Sequence, residues 1–75
     1  MKELIEYMVT ALVDHPNQVN VTERTTEEGT VYELSVAKED LGKVIGRQGR
    51  VIKAIRTVVR ATAWKENQRV WVKIV

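Results

Sequence analysis

The stretch LGKVIGRQGRVIKAI, residues 41–55, decides how this chain is read. It holds three of the chain's four glycines and four basic residues among apolar residues at helical spacing, without one carboxylate. KEDLGKVI begins a short helix with Lys38 to Asp40 as its entry and Leu41, Val44 and Ile45 on one side, and GRQG interrupts it. A glycine that closes a helix is most often a left-handed C-cap, which accounts for Gly46. Gly49 instead opens the next helix, where Ser, Thr, Asp or Asn normally cap and acids favour the first turn. The sequence offers Arg47, Gln48, Gly49 and Arg50 there. Cations at the positive end of a helix dipole are unfavourable by roughly 0.3–1 kcal/mol each. Local rules broken without structural gain point to function, and an anion supplied from outside restores the balance. Free helix-terminal amides, two glycines without side chains and flanking arginines suit a phosphate. A chain of phosphates suits the row Lys43, Arg47 and Arg50 better than a single one.

The helical pattern from Arg50 to about Lys65 carries a second signal. Ile52, Ile55, Val59 and Ala63 form a core stripe about 80° wide. Val51, Ala54, Val58 and Ala61 widen the apolar arc on one flank, and Lys53, Arg56 and Arg60 lie on the other. This spare apolar flank has two readings: a first helix covers it, or Val51, Ala54 and Val58 meet a second copy or a partner.

Working outward, Leu4, Ile5, Met8, Val9, Leu12 and Val13 recur at helical spacing, so residues 2–14 read as an amphipathic helix ended by Pro16. QVNVTER (18–24) and TVYELSVA (30–37) alternate with period two around the polar TTEEG, a β-hairpin with Gly29 in or beside its turn. RVWVKIV (69–75) closes the chain as a strand with Val70, Val72 and Ile74 facing inward. The order helix, strand, strand, short helix, long helix, strand predicts an α+β fold, three helices packed on one face of a three-stranded sheet.

Seventy-five residues predict one domain, residues 1–75, with a core burying about 60–65% of the unfolded chain's surface. Without cysteine there is no disulfide framework, thiolate metal site or cysteine nucleophile, which fits a reducing compartment such as the cytoplasm. No apolar run is long enough to span a membrane. Charge divides along the chain: residues 1–37 hold two basic and seven acidic residues, residues 38–75 ten basic and three acidic. A half-chain at +7 is the electrostatic footprint of a nucleic-acid binder.

VIGRQGRVIKAI, residues 44–55, fits the K-homology (KH) pattern V-I-G-x-x-G-x-x-I-x-x-I at each specified position. Placed between two helices and followed by a strand, it resembles a KH domain, and the N-terminal helix and strand resemble the type II arrangement, α-β-β-α-α-β. That resemblance implies a mixed sheet, the last strand parallel to residues 30–37 and residues 18–24 antiparallel at the other edge. In size, and in ALVDHP and IGRQGRVIKAIRTVV, the chain is similar to the small bacterial stand-alone KH proteins of the KhpA family. The family implies a cytoplasmic RNA-binding protein acting as an RNA chaperone or post-transcriptional regulator, linked to cell-wall synthesis and cell length. It also implies a homodimer, or a pair with KhpB, a larger KH-containing protein. KH domains hold about four single-stranded nucleotides with the G-x-x-G loop gripping the backbone. Carried over, Gly46, Arg47, Gln48 and Gly49 form the clamp, with Lys43, Arg50 and Lys53 beside it. Val44 and Ile45 belong either to the groove floor or to the core. Single-stranded DNA carries the same phosphates, and no residue visibly reads a 2′-hydroxyl. Glu27 and Glu28 are expected to flank the far side of the groove, where they would repel phosphate.

Other residues are assigned blander roles. Trp71 is expected on the sheet face away from the helices, covering apolar surface or an interface in preference to stacking a base. Trp64 is expected to close the core edge. His15 is the only histidine, sits at a helix end where a cation is favourable, and has no nucleophile tied to it. No residue is assigned a catalytic role, the sequence holds no metal-ligand cluster, and no cofactor is called for, since the stretch is neither a Walker A loop nor a dinucleotide fingerprint. A protein-docking scaffold is the competing class of function. A helix-turn-helix on duplex DNA is disfavoured because its first helix would be too short.

Overall fold

The computed structural model describes residues 1–75. The elements are α1 (Lys2–Thr10), β1 (Asn20–Thr26), β2 (Gly29–Ser35), α2 (Leu41–Ile45), α3 (Arg50–Lys65) and β3 (Val70–Ile74), with single 3₁₀ turns at Pro16–Gln18, Lys38–Asp40 and Arg47–Gly49. The sheet order is β1-β2-β3. β1 pairs antiparallel with β2 and β2 parallel with β3, the mixed sheet that the sequence predicts. Inward-facing Val21, Tyr32, Leu34, Val70 and Val72 meet Ile5 and Val9 of α1, Val44 of α2, and Ile52, Ile55, Val59 and Ala63 of α3 in one apolar cluster. The four α3 residues are the stripe read from spacing, so that helix has its core face where its periodicity puts it.

Several boundaries differ from the predicted ones for identifiable reasons. α1 stops at Thr10 rather than running to residue 14. The Thr10 hydroxyl donates to the Glu6 carbonyl at 2.8 Å, and the backbone N–H groups of Asp14 and His15 are committed elsewhere, to the carboxylate of Asp40, at 3.1 and 2.9 Å. Asp40 is 1% exposed, so this buried carboxylate pins the segment after α1 to the start of α2. The polar residues Thr25 and Thr26, read as loop, extend the hairpin ladder to the pair Thr26–Gly29 and leave Glu27 and Glu28 as its two-residue turn. That end of β1 projects past the helices and is exposed on both faces, which is why its composition is polar. Asn67, at φ 58°, closes α3: its N–H donates to Trp64 and that of Gln68 to Ala63, a Schellman cap.

Gly46 is not a left-handed C-cap. Its φ of 76° and ψ of 173° lie in a region essentially closed to other residues, and a Cβ there would stand 2.4 Å from Val51 Cγ2. Gly49 is left-handed, at φ 74° and ψ 18°, and a Cβ on it would meet nothing within 4 Å. The two glycines therefore serve differently, one admitting Val51 and the other leaving open space. Gly46→Ala is expected to lower stability by about 2–4 kcal/mol, from strain plus the clash, and Gly49→Ala by about 1–2 kcal/mol, from strain alone. Denaturant unfolding of both variants checks this, and equal losses would contradict the packing role of Gly46.

Candidate nucleic-acid interface

The turn between α2 and α3 is built from an alternation of backbone conformations that turns the chain sharply without side-chain caps. Gly46, Gln48 and Gly49 all have positive φ. Gln48, at φ 58° and ψ 25°, holds a left-handed conformation that only a small share of non-glycine residues adopt. Two amides expected to be free are used within the turn: Gly49 N–H donates to the Gly46 carbonyl at 3.1 Å, and Arg50 N–H to the Arg47 carbonyl. No side chain caps the start of α3. The positive end of this sixteen-residue helix is therefore balanced by none of the protein's own acids.

The side chains of the turn point to solvent. Arg47, Gln48 and Arg50 are exposed, and Arg50 Nη2 lies 3.4 Å from Gln48 Oε1. Neither Arg47, Arg50 nor Lys53 belongs to a salt bridge. Val44 is fully buried in the core, whereas Ile45 is 39% exposed beside the turn, so of the two alternatives Val44 is core and Ile45 is the apolar surface.

Lys43 is the exception among the basic residues around the turn. Its ammonium group hydrogen-bonds the Asp14 carboxylate and lies 3.9 Å from Asp40 Oδ1. The bond to Lys43 holds the Asp14 carboxyl below its ordinary range, and the same bond raises the Lys43 ammonium. Sequence reasoning missed this pair, because its members are twenty-nine positions apart and are joined only when Asp40 pins the segment after α1. The available signal was Asp40 itself, an acid directly before an acid-free stretch.

Glu27 and Glu28 occupy the hairpin turn, and the register Thr30–Val70 puts that turn at the end of the molecule where α3 finishes. A sixteen-residue helix is about 24 Å long, so these acids lie at the opposite end of α3 from the turn at residues 46–49. Trp64 is 83% exposed on the flank shared with Lys53 and Arg60, and it does not close the core edge as expected. Trp71 lies on the open face of the sheet and is 40% exposed.

The spare apolar flank of α3 is only half covered. Val51 is half-buried and Ile55 buried, while Ala54 stays exposed and Val58 is 44% exposed. Together with Tyr7, Met8, Ala11 and Leu12 of the α1 side they line a shallow apolar groove of about 510 Å³.

A family model described as the KhpA/KhpB KH domain matches residues 2–74. Among curated proteins, the RNA-binding protein KhpA of Clostridium acetobutylicum is 56% identical over 75 residues, covering all of both chains. That of Listeria monocytogenes is 48% identical over all of this chain and 99% of its own. Among solved structures, Aquifex aeolicus Era bound to GDP and aluminium fluoride aligns with a TM-score of 0.62 at 20% identity. Era in complex with a nucleotide analogue and a segment of 16S ribosomal RNA aligns with a TM-score of 0.55 at 19% identity. In both cases 99% of this chain matches 30% of the Era chain, a likeness of fold.

The Asp14–Lys43 pair makes a signed prediction. Asp14 has its folded value lowered, so the pair's stabilisation is present above the ordinary carboxylate range and is lost as pH falls through the lowered value. An NMR titration should find the Asp14 midpoint below that of an unstructured aspartate, and Lys43→Ala should raise it. An unchanged midpoint would contradict the pairing.

Proposed function

Because the chain belongs to the KhpA/KhpB KH-domain family, we propose that it binds single-stranded RNA through the turn Gly46, Arg47, Gln48 and Gly49. The observation that carries this reading is the junction itself: exposed cations at an uncapped helix start, with open space at Gly49 and no carboxylate tied to Arg47 or Arg50. The phosphate backbone runs past the arginines, with Arg50 and Lys53 on one side. On the other side Lys43 exchanges Asp14 for phosphate. Ile45 offers an apolar surface to a base next to the clamp. The names of the relatives as RNA-binding proteins support RNA as the strand, as does the RNA in one of the Era complexes. In this reading the protein works in the cytoplasm as an RNA chaperone or post-transcriptional regulator, with cell-wall synthesis and cell length as the processes served.

A site of about four nucleotides is small, and pairing two such sites raises avidity without new contacts. The half-covered groove around Val51, Ala54 and Val58 supports pairing there, with a second copy or a larger KhpB-like protein. The same groove favours the competing reading, a scaffold whose business is docking another protein.

Two outcomes separate these readings. Arg47→Asp with Gln48→Asp, in a variant shown to be folded, is expected to weaken binding of short single-stranded RNA at least tenfold and to flatten its salt dependence. Unchanged affinity and slope would remove the clamp assignment. Val58→Asp is expected to abolish self-association in sedimentation experiments while the isolated RNA site persists. If no form of the protein binds RNA, the scaffold reading stands instead.

A further inference from the structure

The open face of the sheet, which the clamp does not use, concentrates charge of one sign around an aromatic ring. Trp71 stands there with Val31, Arg24, Glu33 and Lys73 on the strands. Arg56 and Arg60 of α3 reach its rim, and Arg69 adjoins it through a second hollow that shares Trp71 and Arg60. The two hollows measure about 490 and 410 Å³. Five cations thus surround the ring against one carboxylate, and that one, Glu33, is occupied by Arg24 at 3.2 Å. Arg60, Arg69 and Lys73 have no ion-pair partner.

The ring lies against the neighbouring strand. A Cβ on Gly29 would come within 2.8 Å of Trp71 Cζ3, so the bare glycine lets the indole lie close over the neighbouring strand. Shielding a glycine in a sheet is one service of such a ring. It does not explain why the ring remains 40% exposed or why cations ring it. Pairing of another strand along the free edge of β3 is obstructed, because Arg56 Nε donates to the Val72 carbonyl at 3.2 Å.

We propose that this face is a second contact for single-stranded nucleic acid, in which one base stacks on Trp71 and flanking phosphates meet Arg60, Arg69 and Lys73. A half-exposed aromatic surface among unpaired cations is the chemistry that holds a strand without reading its sequence. An acidic peptide would satisfy the charges and leave the ring unused. The acidic turn Glu27–Glu28 adjoins the face beyond Thr26, so the strand runs toward Lys73. The clamp lies at the other end of α3, so one strand engages both sites only if it is longer than the clamp alone requires. The proposal rests on the RNA-binding reading above, and its test separates the two.

Labelled oligouridylates of 5 and 15 nucleotides are titrated over a salt series into the natural chain, the Arg47→Asp plus Gln48→Asp variant, and an Arg69→Glu plus Lys73→Glu variant checked for folding. The natural chain is expected to bind the 15-mer more tightly than the 5-mer. The sheet-face variant is expected to lose at least fivefold for the 15-mer, with a lower salt slope, and to stay within twofold for the 5-mer. In a Trp64→Phe background, which leaves Trp71 as the only tryptophan, the 15-mer should quench the emission. Equal binding of both lengths by the sheet-face variant and the natural chain, or unchanged Trp71 emission, overturns this proposal and leaves the clamp standing. Displacement by polyglutamate as readily as by RNA overturns the nucleic-acid assignment. Absence of binding to either length in the natural chain overturns both readings.

Discussion

Val51 packs where a side chain on residue 46 would be, and Gly46 can yield that space only in a backbone conformation closed to other residues. This contact sets the angle at which the chain leaves α2 and enters α3. It brings Val44 and Ile52, on either side of the turn, into one core. The rest of the turn follows from it. Gln48 and Gly49 complete the reversal in left-handed conformations, and the amides of Gly49 and Arg50 bond back to the carbonyls of Gly46 and Arg47. Arg47, Gln48 and Arg50 have no packing role left and project into solvent at a helix start. A non-glycine residue held left-handed is strain of order 1–3 kcal/mol, and it persists where the surroundings over-determine it.

Asp40 does for the N-terminal half what Gly46 does for the turn. Its buried carboxylate takes two backbone N–H groups from the segment after α1, and so brings Asp14 to Lys43. The acidic half of the chain thereby neutralises one cation beside the turn, Lys43, and leaves Arg47, Arg50 and Lys53 unpaired. The resulting surface has three distinct regions. A cationic turn opens at the start of α3. An apolar groove lies between α1 and α3, and a cation-rimmed sheet face carries Trp71. Helices cover one side of the sheet only, which is why the third region exists at all.

Much of this was legible in the sequence, and the parts that were not share a cause. Strand alternation and the 3.6-residue stripe of α3 report burial directly, so the element order, the core residues and the open position of Trp71 follow from the pattern. The mixed sheet came through resemblance to the KH pattern, since no local signal distinguishes a parallel from an antiparallel last strand. Glycine spacing located the turn but not its conformation: Gly46 reads as an ordinary C-cap until Val51 is seen against it. Thr25 and Thr26 read as loop because a strand end uncovered by helices is as polar as a loop. The Asp40 bonds, the Asp14–Lys43 pair and the exposure of Trp64 depend on long-range placement, which no window of sequence carries. Lys43 was therefore counted as a free cation when it has a partner.

The proposed contact is a phosphate backbone settled against the turn at residues 46–49. Backbone amide shifts recorded by NMR as a short single-stranded RNA is added to the isotope-labelled protein test it most directly. The account predicts that the largest changes fall on Arg47, Gln48, Gly49 and Arg50 and saturate with one affinity. Changes confined to the groove between α1 and α3, with the turn silent, would contradict it.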